Sequence, residues 1–231
     1  MLKIKRFIFT AILTGAMMTS VFAAPPKSLT ESQVASYARV ALVMSSVEGN
    51  SYDLYVASDD DHLMTQKYMW KSHDDEENWV GHYYLYLKPV NSKEKAVRQN
   101  VRLYNENFPR HKNQTMILDR NYPNYNGFYL AKGKAGLPDI LIRTERVTGG
   151  GGFATQAYVI KDGKLNQLKY LDENKNVFYT RIAGSKPFYY LDDGTFAVPW
   201  WTNIKPGGSF ITVYMLDSNN LTLIPAYTVK E

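Results

Sequence analysis

The chain has 231 residues, 45% of them hydrophobic, with 18 Tyr, 4 Trp and no Cys. That length suffices for one well-buried core, and the lack of cysteine excludes disulfide staples, a thiol nucleophile and the lipidated cysteine of a lipoprotein. The formal charge is +5, yet Lys3, Lys5 and Arg6 supply three of the 27 basic residues; beyond them 24 positive charges face 22 negative ones, with no basic stripe of the kind nucleic acid or an anionic membrane requires.

Those three residues open a pattern of their own. Phe7 to Met18 is an apolar stretch, and Val21-Phe22-Ala23 places small residues at −3 and −1 of a cleavage site before Ala24-Pro25-Pro26. The expectation is a signal peptide over residues 1–23, cleaved after Ala23, and a periplasmic or secreted product. The apolar stretch falls short of the roughly 20 residues of a spanning helix, and no later segment is apolar enough to span.

Ser28-Leu29-Thr30-Glu31 fits a capping box, and Val34, Tyr37, Ala38, Ala41 and Leu42 follow at helical spacing, which predicts a helix near 29–44. The competing assignment gives Val40 to Met44 to a first strand. Afterwards short apolar runs rich in Tyr, Phe and β-branched residues alternate with Gly, Asn, Asp and Pro clusters, the composition of strands and turns. Val97, Val101 and Leu103 alternate with Arg98, Asn100 and Arg102, as in a half-exposed strand. The segment 158–165 reads as a hairpin, because Asp162-Gly163 tolerates the positive φ angles of a primed turn. No strand–helix–strand alternation occurs. The expected class is all-β, mostly antiparallel, with one N-terminal helix in a single domain over 24–231.

A repeat underlies this pattern. Residues 139–152 and 195–208 align without a gap at an offset of 56, both running strand, loop, glycines; 153–168 then matches 210–224, and an earlier copy spans 52–104 around an acidic insertion. The repeats, about 52–104, 128–171 and 187–228, suggest β-meander units in a propeller-like, barrel or sandwich arrangement. Within the second, Gly136-Leu137-Pro138-Asp139-Ile140-Leu141-Ile142 resembles the core of the FG-GAP (VCBS-type) β-propeller repeat. That resemblance implies a blade-like β unit. It carries no calcium site, since the places of the loop's acidic ligands hold Ala131, Gly133 and Ala135, leaving only Gly136 and Asp139.

The chemistry-bearing residues are sparse. His62, His73, His82 and His111 lack His-Glu-x-x-His spacing, no Gly-x-Ser-x-Gly elbow occurs, and Gly149 to Gly152 lack the Lys-Ser/Thr of a phosphate loop. Asp59-Asp60-Asp61-His62 and His73-Asp74-Asp75-Glu76-Glu77 flank the insertion, but their spacing is that of a solvated charged loop rather than a calcium loop. Neither a metal nor a cofactor is expected. Asp139, Asp192 and Asp193 are the conceivable carboxylates for glycan hydrolysis, although Asp192-Asp193-Gly194 is first of all a turn.

Aromatic residues are the stronger hint. Trp200 and Trp201 are adjacent on one expected strand, so their side chains leave opposite faces and at most one enters a given core. Trp70 and Trp79 bracket the acidic insertion and suggest a loop-borne patch. Trp70, Trp79, Trp200 and Trp201 are therefore the candidate ligand-binding residues. The expected function is a non-catalytic binding or interaction domain of the envelope or secretome with a protein or glycan partner. The alternatives are a secreted glycan-acting hydrolase and an accessory subunit of an envelope complex.

Overall fold

The structure, a computed structural model, describes residues 25–66, 76–101, 103, 115–119, 127–134, 136–146, 153–183, 187–202 and 207–231. The expected signal segment, Trp70, His73 to Asp75, His111 and Gly149 to Gly152 lie outside them.

The chain enters through β1 (Ser28–Leu29) and α1 (Glu31–Tyr37). Thr30 caps this helix: its side chain accepts from the Gln33 N–H, and the Gln33 side chain accepts from the Thr30 N–H at 2.9 Å. The capping box is thus two residues later than expected, and the helix stops at Tyr37 rather than 44. Two competitors take the flanking residues. Ser28 and Leu29 pair as strand with Val97 and Ala96, and the apolar run from Val40 to Met44 enters β2 (Ala38–Ser45), where β-branched Val40 and Val43, stiff at χ1, fit the pleat better than a helix.

β2 pairs with β3 (Ser51–Ala57). The chain then makes an excursion through β4 (His62–Gln66) and β5 (Glu76–Gly81) before returning as β6 (Tyr84–Pro89) and β7 (Ala96–Arg98). The first sheet runs β1-β7-β6-β3-β2; β4 and β5 join β8 (Met116–Asp119) in a three-stranded side sheet. The alternation expected at Val97, Val101 and Leu103 does not hold. Val97 is half exposed, whereas Leu103 and Val101 pack into the core. The strand ends at Arg98, so residues beyond it lose the pleat that would have kept all three on one face.

The second sheet is β9 (Gly127–Ala131), β10 (Ile140–Arg146), β11 (Phe153–Lys161) and β12 (Lys164–Gln167) in the order β12-β11-β10-β9. Asp162 and Gly163, at φ 52° and 67°, form the expected tight turn between β11 and β12, closed by the Lys161–Lys164 pair. The third sheet takes β13 (Lys169–Leu171), β14 (Val177–Phe178), β16 (Tyr189–Tyr190), β17 (Phe196–Thr202), β18 (Gly208–Asp217) and β19 (Thr222–Lys230), in the order β14-β13-β19-β18-β17-β16. β15 (Arg181–Ala183) pairs with β11 on the way. The aligned segments 139–168 and 195–224 each run through three successive antiparallel strands, β10-β11-β12 and β17-β18-β19; 52–104 holds β3, β6 and β7 around the excursion.

The three sheets are layered. Met44, Leu54, Val56, Leu85 and Leu87 of the first sheet share a core with Leu141, Tyr158 and Ile160 of the second. The alternate residues of the second sheet, Ile140, Ile142, Ala157 and Val159, share another with Tyr170, Phe196, Val198 and Tyr214 of the third. Eight consecutive residues of β11 are consequently buried. The architecture is all-β with one helix; among the described residues no sheet closes into a barrel. Among the described residues no helix is long and apolar enough to cross a membrane.

Candidate binding surface

β17 projects its residues alternately, and the register with β18 assigns each face. Phe196 opposite Tyr214, Val198 opposite Thr212 and Trp200 opposite Phe210 lie on the face that meets the second sheet. Ala197 opposite Val213, Pro199 opposite Ile211 and Trp201 opposite Ser209 lie on the other. The two adjacent tryptophans therefore part company, as β geometry demands. Trp200 stacks on Phe210 with ring centroids 4.7 Å apart, and its indole N–H donates to Thr212 Oγ1 at 2.9 Å. The Arg181 guanidinium lies 5.9 Å from the Trp200 ring and the Lys230 ammonium 6.0 Å from that of Phe210. Trp200 is thereby held in structure, while Trp201 is 49% exposed.

Trp201 does not stand alone. Across the outer face, Tyr189 pairs with Ala197, Ala197 with Val213 and Val213 with Tyr227; Ile211 pairs with Val229, and Met215 with Ile224. Tyr227, Val229, Met215 and Tyr189 are 50%, 45%, 51% and 40% exposed, over a floor formed by buried Ala197 and Val213. Single exposed hydrophobic residues are ordinary, but five large ones on one face of a sheet are not. The Trp200-Trp201 pair was readable in the sequence. Tyr189, Met215, Tyr227 and Val229 were not, because they are neighbours only once four strands have been put in register.

Trp79 departs from expectation. It lies on β5, not on a loop, and packs half-buried against the first core beneath Arg39, whose guanidinium carbon is 4.2 Å from the ring centroid. Arg39 in turn holds Asp61 in a two-point contact, Nε to Oδ2 at 2.7 Å and Nη2 to Oδ1 at 2.8 Å, and Tyr83 Oη donates to Asp61 at 2.6 Å. The hydrogen bonds it donates to Asp61 keep the Arg39 guanidinium protonated even more firmly than usual. Trp79 is one layer of a clamp joining the first sheet to the side sheet.

The acidic residues are similarly committed. Asp60 accepts from the His82 N–H at 2.9 Å, from the His82 ring at 2.5 Å and from Ser58 Oγ at 2.7 Å. Burial alone would raise its pKa, but these bonds outweigh burial and hold it below the ordinary carboxylate value. Gly81 lets this turn approach, since a Cβ there would lie 2.6 Å from Asp61 Cβ. No group of three or more metal-ligating side chains occurs among the described residues.

The carboxylates weighed for hydrolysis are each taken up by hydrogen bonds of their own. Asp139 is buried and accepts from the Ser45 N–H at 2.8 Å, the Gly133 N–H at 2.8 Å and Lys132 Nζ at 3.0 Å. Asp192 sits on an exposed turn, where a hydrogen bond from Lys134 at 2.7 Å lowers its pKa; the Thr195 hydroxyl and N–H lower that of Asp193. A general acid needs the opposite shift, produced by burial without such donors. Sequence reasoning also passed over Arg143, which is 2% exposed and donates to Gln156 Oε1 at 3.1 Å and to Glu145 at 3.2 Å inside the first core.

Comparison with protein-family models, with curated proteins and with solved structures gave no match.

Proposed function

We propose that this protein is an exported, non-catalytic interaction domain whose recognition surface is the outer face of the third sheet. One observation carries the reading: Trp201, Tyr189, Tyr227, Met215 and Val229 stand half exposed on one face of the same sheet. Exposed apolar area of this kind is unfavourable in water and becomes favourable when a second surface covers it. Rings with few rotatable bonds lose little entropy on contact, so they make effective anchors. Asp217, at the turn end of the same face, begins a polar border of the sort that surrounds an interface core. The hydrolase reading has less support, because Asp139, Asp192 and Asp193 are each engaged by hydrogen bonds within the fold.

Export rests on the basic, apolar and small-residue pattern of residues 1–23. The anchoring of the segment just beyond the expected cut agrees with it. Arg98 donates to the Pro25 carbonyl at 3.0 Å and Tyr86 Oη to that of Pro26 at 3.1 Å, so a chain beginning at Ala24 keeps its attachment to the first sheet.

A photo-crosslinking residue in place of Trp201, introduced in the producing cell, tests the interaction reading. A discrete covalent adduct is expected from position 201 and not from Lys95, an exposed residue between β6 and β7. Equal labelling at both positions, or none at 201, overturns it. N-terminal sequencing of the accumulated protein tests export, with Ala24 as the expected first residue.

A further inference from the structure

The N-terminal arm is tied to the first sheet mainly through its backbone. α1 buries none of its residues completely, and β1 pairs with β7 only through Ser28 and Leu29. The carbonyls of Pro25, Pro26 and Lys27 accept from Arg98 Nη1 at 3.0 Å, Tyr86 Oη at 3.1 Å and the Arg98 N–H at 2.9 Å. Between the arm and the sheet lies a shallow cleft, bordered by Pro26 and Tyr37 on one side and by Asp59, Tyr84 and Tyr86 on the other.

Asp59 stands apart in that cleft. Its neighbours are committed, Asp60 to Ser58 and His82, Asp61 to Arg39 and Tyr83. Among the described residues Asp59 makes no hydrogen bond or ion pair. It nevertheless lies close to two phenols. Burial raises the pKa of Tyr84, and that of Tyr86 to about 12; Arg98 opposes both shifts, and the negative charge of Asp59 adds to both. Arg98, the cation felt by these rings, is engaged by the Pro25 carbonyl and the Tyr84 ring, whose centroid is 5.4 Å away.

We propose that the partner of Asp59 is the α-ammonium of Ala24, created when the chain is cut after Ala23. This inference rests on the export reading above and adds what the cut does to the fold. Pro26, on the wall that faces Asp59, follows Ala24 by two residues, a stretch that spans at most about 7 Å. The cleft is too shallow to take up a separate molecule, whereas an ammonium already attached to its rim needs no enclosed space. The charges match, since an ammonium and a carboxylate form a charge-assisted hydrogen bond. Timing follows from the chemistry. In the uncut chain the Ala24 nitrogen belongs to a neutral amide. Water added across the Ala23–Ala24 bond leaves a carboxylate on Ala23 and an amine on Ala24, which takes up a proton at neutral pH. The cut therefore completes the docking of the arm as well as removing the export segment.

The test is an NMR titration of the Ala24 methyl group in the protein purified after export and labelled with ¹³C-alanine. Its midpoint is expected about half a pH unit above the roughly 7.7–8.0 of an unpaired α-amino group, the shift that a partly exposed ion pair supports. Asp59→Asn removes no bond made within the described fold, and is expected to return the midpoint to the ordinary range with the circular dichroism spectrum retained. The thermal midpoint gives a second measure. A group whose pKa is raised by folding stabilises below its unfolded value and ceases to do so as pH climbs through the folded one. The parent should accordingly melt above Asp59→Asn below about pH 8, with the gap closing at higher pH. An ordinary midpoint in the parent, or a raised one that Asp59→Asn leaves in place, overturns the inference while a first residue of Ala24 upholds export. A first residue other than Ala24 removes the ammonium and overturns both.

Discussion

Ser45 and Asp139 hold each other twice: the Ser45 N–H donates to the Asp139 carboxylate at 2.8 Å, and the Asp139 N–H donates to the Ser45 carbonyl at 3.0 Å. The two residues are 94 positions apart in sequence, at the end of the first sheet and the start of β10. This reciprocal pair fixes the first sheet to the second at a point where no strand ladder runs between them.

Asp139→Ala is expected to destabilise the fold by about 3 kcal/mol, since it leaves two backbone N–H groups and the Lys132 ammonium without their acceptor. Asp139→Asn keeps one carbonyl acceptor and should cost clearly less. Urea unfolding of both variants checks the order; equal losses would mean that the carboxylate is not the element that counts.

Gly133→Ala is expected to cost several kcal/mol, on the order of 3. A Cβ at this position would lie 2.1 Å from the Leu137 carbonyl oxygen and 2.7 Å from that of Pro138, both backbone atoms that cannot rotate away. The measurement is the thermal midpoint, and a drop of less than a few degrees would contradict the tight turn.

Arg39→Lys is expected to lower stability by about 1 kcal/mol despite keeping the charge. An ammonium cannot make the two-point contact to Asp61 while also lying flat over Trp79. Trp79 should become more accessible to acrylamide in the same variant, a change that loss of the ion pair alone would not produce.

Asp60 sets a pH dependence. Its pKa is depressed in the folded state, so its contribution is complete above the ordinary carboxylate range and is lost as pH falls through the folded value, below about pH 4. Asp60→Asn should therefore flatten stability against pH on the acid side, which urea unfolding at a series of pH values checks. At the alkaline end the sign reverses for Tyr86, whose burial raises its pKa to about 12. Its neutral phenol stabilises the fold below about pH 10 and ceases to do so as pH climbs through the folded value.

The adjacent tryptophans should behave as opposites. Trp200→Ala is expected to cost about 3 kcal/mol through loss of the Phe210 stack and of a well-packed ring. Trp201→Ala should stay within about 0.5 kcal/mol of the parent. Chemical denaturation of the two variants side by side decides, and similar losses would mean that the face assignment is wrong.

The split between those two residues also shows how far the sequence could be read. Strand periodicity puts neighbours on opposite faces, so one exposed Trp was predictable, as were the all-β class and the Asp162-Gly163 turn. These are local properties. The helix ends earlier than its pattern suggests because the 3.6-residue spacing of Val34, Tyr37 and Ala41 overlaps the apolar run Val40 to Met44, and only pairing of β2 with β3 decides between them. Trp79 was misplaced for a related reason: nothing local reveals that Arg39, 40 residues earlier, lies over its ring. The surface around Trp201 joins residues of four strands, and long-range register is what a single sequence withholds.

β11 carries one further consequence. Because both of its faces are buried between neighbouring sheets, it has no tolerant side. A substitution scan from Phe153 to Ile160 should register damage at every position, where an ordinary half-exposed strand alternates between sensitive and silent. Inherited variation ought to be confined there in the same unbroken way, so that the middle of the chain changes most slowly while its outer strands drift.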